Sequence, residues 1–232
     1  MVWVSSCSER RLFFCAFNVL VSSFPFSDED IERMNSLCRE VEIIFLKTDR
    51  NGFNHAVADV EGHPCGLVQI RYRNCFIDIP PLDSGGQLLF PRPLLTLCPH
   101  DGKIHPATLF HEIAHLLSCG KYMKAGDNHY LHTCGTAIYS YKVSNGLFLA
   151  TSKTGSAISN EIMTDMTAKL LLDSLFCESS LFSAPRLLRI NDMEHHLSQH
   201  GLSRQAAIYH YLSDSITAKT TLNKALEKIV LT

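Results

Sequence analysis

Two histidines four residues apart, His111 and His115, lie inside an otherwise apolar stretch, Leu109-Phe-His-Glu-Ile-Ala-His-Leu-Leu117. On a helix, positions four apart share one face, so both imidazoles can reach one point in space. At about 100° per residue, Leu109, Ile113 and Leu116 fall on one arc, flanked by Phe110 and Leu117, while His111 and His115 share the opposite arc. One side of this helix must therefore pack into a core while the other opens on a cleft. Glu112 stands one residue round, placed to touch a metal-bound water without being a ligand. The helix is predicted to begin near Pro106 and to run to about Cys119, with Gly120 as its stop. A buried helix whose histidines satisfy backbone groups is the plainer alternative for the same spacing.

The chain has 232 residues, 12 of them histidine and nine cysteine, which bounds it to one sizeable core or one core with a small appendage. The cysteines (7, 15, 38, 65, 75, 98, 119, 134 and 177) are scattered singly with no C-x-x-C pair, so a zinc ribbon or thioredoxin-type motif is excluded. They read as reduced, small apolar residues of an intracellular protein. Lys+Arg 21 against Asp+Glu 23 leaves a net charge of -2, which gives no basic surplus for a nucleic-acid backbone. Arg10-Arg11, the apolar run from Leu12 to Val21, and Ser22-Ser23 have the order of a secretory signal. Glu9, Asn18 and the lack of an A-x-A site weaken it, so cytoplasmic placement is the first expectation and secretion the alternative. A buried strand or short helix is the structural reading of the same run. No run reaches the roughly 18 apolar residues of a membrane-spanning helix.

Asp28 to Glu42 carries periodic Ile31, Met34, Leu37 and Val41 behind Ser27 and three acidic residues, which suits a helix start. Runs at 41–46, 55–60, 66–72 and 74–79 are short and β-branched or aromatic, and predict an antiparallel or mixed sheet. Residues 83–103 are Gly- and Pro-rich and read as a long loop. Residues 135–151 read as a hairpin turning at Asn145-Gly146. A second helix is expected from the caps Ser159-Asn160 to about Phe176, and the chain after Pro185 reads as helical. The segments are 1–27, a main domain 28–180, and a helical part 181–232 packing on that domain. The fold class is α+β: a small N-terminal mixed sheet packed on the His111 helix and on the second helix.

On the second helix Glu161, Asp165, Ala168 and Leu172 fall on one stripe. Two carboxylates on a stripe that ends in Ala and Leu are costly to bury without partners. A metal for Glu161 and a ligand imidazole for Asp165 would supply them. An exposed acidic helix start is the alternative.

His111-Glu112-x-x-His115 followed by Asn160-Glu161-x-x-x-Asp165 resembles the gluzincin, thermolysin-like branch of zinc metallopeptidases. The helix, hairpin and N-E-x-x-T-[DE] helix are also similar to small zincin-like proteins of low-GC bacteria. The resemblance covers roughly residues 104–175. It implies a zincin-like fold and one zinc ion held by His111, His115 and Glu161. It also implies Glu112 as the group that polarises water and Asp165 as the residue that orients His111. The separation of Glu161 from His111, 161 − 111 = 50, exceeds that of thermolysin, and the hairpin fills it. The metzincin continuation fails, because Ser118 and Lys121 stand where Gly and His would be needed.

The implied activity is peptide-bond hydrolysis of a peptide or protein substrate, with Glu112 as general base. A downstream His or Tyr would support the oxyanion. The candidates are His195, His196, His200, Tyr209, His210 and Tyr211, with His195, His196 and His210 foremost and no spacing to choose among them. His129 and His132 are rival ligands, set in a loop by Gly126 and Asn128. Two other readings stand beside the peptidase. One is an anti-repressor type peptidase of a mobile element, which the Glu161–Leu172 helix also resembles. The other is a zincin fold kept as a silent binding or structural module. Oligomeric state is not legible.

Overall fold

A computed structural model describes residues 4–5, 9–45, 67–71, 92–97, 103–104, 106–144, 147–176 and 182–227. The expected strands at 55–60 and 74–79 lie outside the described residues, as do His55, His63, His100 and His105. The architecture is α+β. In chain order the elements are β1 (Val4–Ser5), α1 (Glu9–Ser23), α2 (Asp28–Glu40), β2 (Glu42–Phe45), β3 (Leu67–Arg71), β4 (Arg92–Leu97) and β5 (Lys103–Ile104). Then come α3 (Pro106–Leu117), β6 (Cys119–Gly126), β7 (His129–Cys134), β8 (Ala137–Ser144), β9 (Leu147–Thr154), α4 (Ala157–Phe176), α5 (Ala184–Gln199), α6 (Arg204–Leu212) and α7 (Ile216–Leu226).

Two sheets flank the helices. The first is mixed, in order β2-β4-β3, with β4 parallel to β2 and antiparallel to β3, and β3 lies against α3. The second is an antiparallel meander, β6-β7-β8-β9. A minimal antiparallel pair joins β1 to β5. Among the described residues no helix is long and apolar enough to cross a membrane.

Three expectations are corrected. Residues 83–103 are not one long loop, because Arg92–Leu97 is the central strand of the mixed sheet. Pro93 sits second in that strand, near its start, where a missing N–H costs least. The region around His129 and His132 is not a loop either: Gly126 and Asn128 bracket a tight turn between β6 and β7, and Asn128 takes the positive φ of 60° that such a turn demands. The α3 helix stops at Leu117 rather than Cys119, since Cys119 already belongs to β6.

The run at Leu12–Val21 is part of α1, with Phe13, Ala16 and Leu20 buried at helical spacing. These residues belong to the same hydrophobic core as Leu109, Ile113 and Leu116 of α3, Met163 and Leu171 of α4, and Ile190, Tyr211 and Leu222 of the C-terminal helices. The α2 helix begins where its sequence predicts, with Ser27 Oγ accepting the Asp30 N–H at 3.2 Å and acidic residues in its first turn.

Buried Arg33 on α2 ties the end of α3 in place. Its guanidinium donates to the carbonyls of Leu117 at 2.9 Å, of Cys119, and of Leu212 at 2.6 Å, and pairs with Asp30 at 3.1 Å. The Leu117 and Leu212 carbonyls are ones that a helix end leaves without intrahelical partners, so one side chain closes α3 and α6 together. Asp30 also accepts from Ser213 Oγ and from the Asp214 N–H.

The hairpin is docked on α4 by Asn160, expected as a cap. Ser156 serves the cap instead, its Oγ accepting the Ser159 N–H, while Asn160 Oδ1 accepts the Thr136 N–H at 3.0 Å. Gly135 makes that approach possible. Its φ is +58°, and a Cβ there would meet Asn160 Oδ1 at 1.8 Å.

Candidate metal centre

The α3 helix delivers the histidines as its wheel requires. Leu109, Phe110, Ile113, Leu116 and Leu117 are fully buried, and the His111 and His115 side chains keep 13% and 18% exposure on the open face. Their rings meet nearly edge to face, at 83°, with Nε2 atoms 3.1 Å apart. The α4 helix crosses this face and brings Glu161 against both. Glu161 Oε2 lies 3.2 Å from His111 Nε2, and Oε1 lies 3.3 Å from His115 Nε2. His111, His115 and Glu161 thus offer three ligand atoms within 4.8 Å of one another, a group able to hold a metal ion. Hydrogen bonds from the two imidazoles hold the Glu161 carboxyl well below the usual carboxylate range.

The far side of each imidazole is also occupied. His111 Nδ1 donates to Asp165 Oδ1 at 2.7 Å. An ionised carboxylate only accepts, so a proton is held on Nδ1, and Nε2, which faces Glu161 and His115, is the nitrogen left to bind a metal. Asp165 is buried; burial alone would raise its carboxyl, but the bonds from His111 and Arg186 draw it below its ordinary value. Arg186, from α5, grips both carboxylate oxygens, with Nε on Oδ2 at 3.0 Å and a terminal nitrogen on Oδ1. Burial lowers the His111 imidazole, yet the bonds to Asp165 and Glu161 and the charge of Glu112 outweigh it and raise the pKa to about 9.

His115 has a different backing. Thr164 Oγ1 lies 3.3 Å from its Nδ1, 2.8 Å from the Asn160 carbonyl and 2.6 Å from the Tyr211 hydroxyl. A hydroxyl has one hydrogen, which goes to the Asn160 carbonyl because that oxygen can only accept. Thr164 Oγ1 then accepts from both the Tyr211 O–H and the His115 Nδ1–H. The same tautomer results as at His111, with Nε2 free toward the ligand group. Both imidazoles are therefore oriented as metal ligands usually are.

Glu112 is buried at 3% exposure, and its Oε2 has no hydrogen-bond partner. Burial raises its carboxyl above the ordinary value, opposed by the two imidazoles. A buried carboxylate oxygen left unpaired is costly, and its position beside both histidines fits a bound cation and a water nearby.

Of the downstream candidates, only Tyr211 connects to this cluster, through Thr164, and it is fully buried behind His115. His195 is exposed and bonds Gln199. His196 Nε2 donates to the Ala225 carbonyl at 3.0 Å, and His200 donates from Nδ1 to the His196 carbonyl. Tyr209 stacks on Phe26, and His210 keeps a buried Nδ1 without a partner. His132 is buried in β7, and burial lowers its imidazole to about 4.

Sequence reasoning did not single out Thr164 or Arg186. Thr164 follows Glu161 by three residues and so lies on the same helical stripe, a usable signal. Arg186 stands 21 residues from Asp165 on another helix, and no spacing rule reaches it. Comparison of the chain with protein-family models, with curated proteins and with solved structures finds no match.

Proposed function

We propose that this protein is a zinc-dependent metallopeptidase of the gluzincin type, with His111, His115 and Glu161 as zinc ligands and Glu112 as general base. The observation that carries this reading is the convergence of the donors: the two Nε2 atoms are 3.1 Å apart, Glu161 Oε2 lies 3.2 Å from His111 and Glu161 Oε1 lies 3.3 Å from His115. Tetrahedral zinc with ligand distances of about 2.0–2.1 Å places its donors about 3.3 Å from one another. Two imidazoles and one carboxylate, three protein ligands in all, also make the ligand set of catalytic rather than structural zinc.

Bound zinc supplies Lewis acidity toward a water and a substrate carbonyl. The chain's own residues do the rest. Glu112, buried and unpaired at Oε2, would take a proton from the attacking water and return it to the leaving amine. Asp165 and Thr164 keep both imidazole protons on Nδ1. Arg186 holds Asp165 ionised and in place.

A silent zinc module is the competing reading, and Glu112 weighs against it: a scaffold has no use for a buried, unpaired carboxylate beside its ligands. Wild type and Glu112→Gln should each bind one zinc, while only wild type cleaves a mixed peptide library. Equal cleavage by both would reject the role of Glu112, and zinc binding without cleavage in either would favour the module.

A further inference from the structure

Cys119 and Cys134 are 15 residues apart in sequence, but the β6–β7 register sets them directly opposite each other. The Gly135 N–H donates to the Ser118 carbonyl at 3.2 Å, the bond that flanks a non-hydrogen-bonded Cys119–Cys134 pair on its outer side. In a pair of that kind the Cα atoms approach to about 4.5 Å and the side chains lie closest. That separation falls within the range disulfides span. The two Sγ atoms are 3.1 Å apart, about 1 Å beyond a covalent S–S bond.

The backbone on both sides is already anchored. Arg33 holds the Cys119 carbonyl, Asp214 accepts from the Lys121 N–H at 3.0 Å and from Thr133 Oγ1 at 2.7 Å, and Lys219 donates to the Gly135 carbonyl at 2.7 Å. Closing the remaining gap needs side-chain rotation only. The other described cysteines have no such neighbour among the described residues: Cys15 is exposed, and buried Cys38 points its thiol at the Phe13 carbonyl.

We propose that Cys119 and Cys134 form an oxidation site, a thiol pair that closes to a cross-strand disulfide when it meets a low-molecular-weight disulfide such as oxidised glutathione. Cys134, the less buried of the two, reacts first, attacking a sulfur of the glutathione disulfide. Its thiolate displaces one glutathione thiolate and forms a mixed disulfide. Cys119 then loses its proton and attacks the Cys134 sulfur, releasing the second glutathione. Two protein thiols are oxidised, one disulfide is reduced, and two glutathione thiols leave.

The bond clamps the start of β6, just beyond the end of α3, to β7, about one turn from His115. The Cys119 thiol gives up its 3.4 Å contact with the His115 carbonyl, which keeps the Ser118 hydroxyl at 2.7 Å. The ligand helix therefore stays closed, and the proposal does not depend on which metal the site holds.

The test is peptide mapping of the full chain after exposure to oxidised glutathione, with free thiols alkylated before digestion. The expected result is a linked pair of peptides joining Cys119 to Cys134, lighter by two hydrogens than the reduced pair and lost on reduction. In Cys119→Ser the intermediate should be trapped as a glutathionyl adduct on Cys134. Wild type supplies the linked pair without any variant, so misfolding of Cys119→Ser leaves the test intact. Both thiols found alkylated after exhaustive oxidation, or Cys134 joined to any other cysteine, would overturn the proposal.

Discussion

The two candidate ligand histidines stand on one helix face, one turn apart, yet their backings differ in kind. His111 leans on a charged pair, Asp165 with Arg186, drawn from α4 and α5. His115 leans on neutral hydroxyls, Thr164 and Tyr211, drawn from α4 and α6. Both fix the same tautomer, but by different physics. A carboxylate raises the basicity of the imidazole it holds and competes for protons. A hydroxyl, fully buried here, orients the ring without adding charge. One flank should therefore respond to charge and pH, and the other to packing.

Among single substitutions, the largest expected effect is on the charged flank. Asp165→Ala frees the His111 tautomer and strips Arg186 of its partner. Zinc affinity should fall by roughly 10–100-fold, measured by competition with a chelator of known strength. An unchanged affinity would show that the two flanks do not differ.

The same flank also sets a pH dependence. With His111 raised to about 9 in the metal-free protein, an incoming metal must displace its proton at every lower pH. Apparent zinc affinity should then rise by about tenfold per pH unit from pH 6 toward 9. The sign follows from protonation: lower pH fills the lone pair and weakens binding. In Asp165→Ala the slope should flatten in the upper part of this range.

On the neutral flank, Thr164→Val keeps shape and removes the acceptor for both Tyr211 and His115. The unpaired groups should cost about 1–3 kcal/mol of folding stability, seen in denaturant unfolding, with a loss of zinc affinity of about tenfold or less. A larger effect on zinc than that of Asp165→Ala would invert the comparison.

The smallest effect is expected from Arg186→Gln. Arg186 keeps 27% exposure, so solvent partly replaces its pairing, and stability should change by about 1 kcal/mol or less.

What the sequence revealed follows the same division. The α3 helix, the hairpin at 137–154 and the α4 helix each carry a local periodic or turn signal, and with them came His111, His115 and Glu161. The β6 strand was hidden by glycines at Gly120 and Gly126 and by lysines that break alternation. The β4 strand was hidden by Pro91 and Pro93 in a Gly- and Pro-rich stretch. Arg186 was out of reach, and Tyr211 could not be chosen from among the downstream candidates, because tertiary packing, not spacing, brings them to the histidines. The cysteine pair was illegible for the same reason: only the strand register sets Cys119 against Cys134.

The central claim is a zinc ion on two imidazoles and a carboxylate, and zinc X-ray absorption on the metal-loaded chain tests it most directly. The account predicts one zinc per chain with nitrogen and oxygen neighbours at about 2.0–2.1 Å and imidazole scattering from two rings. No bound zinc, or sulfur neighbours at about 2.3 Å, would contradict it.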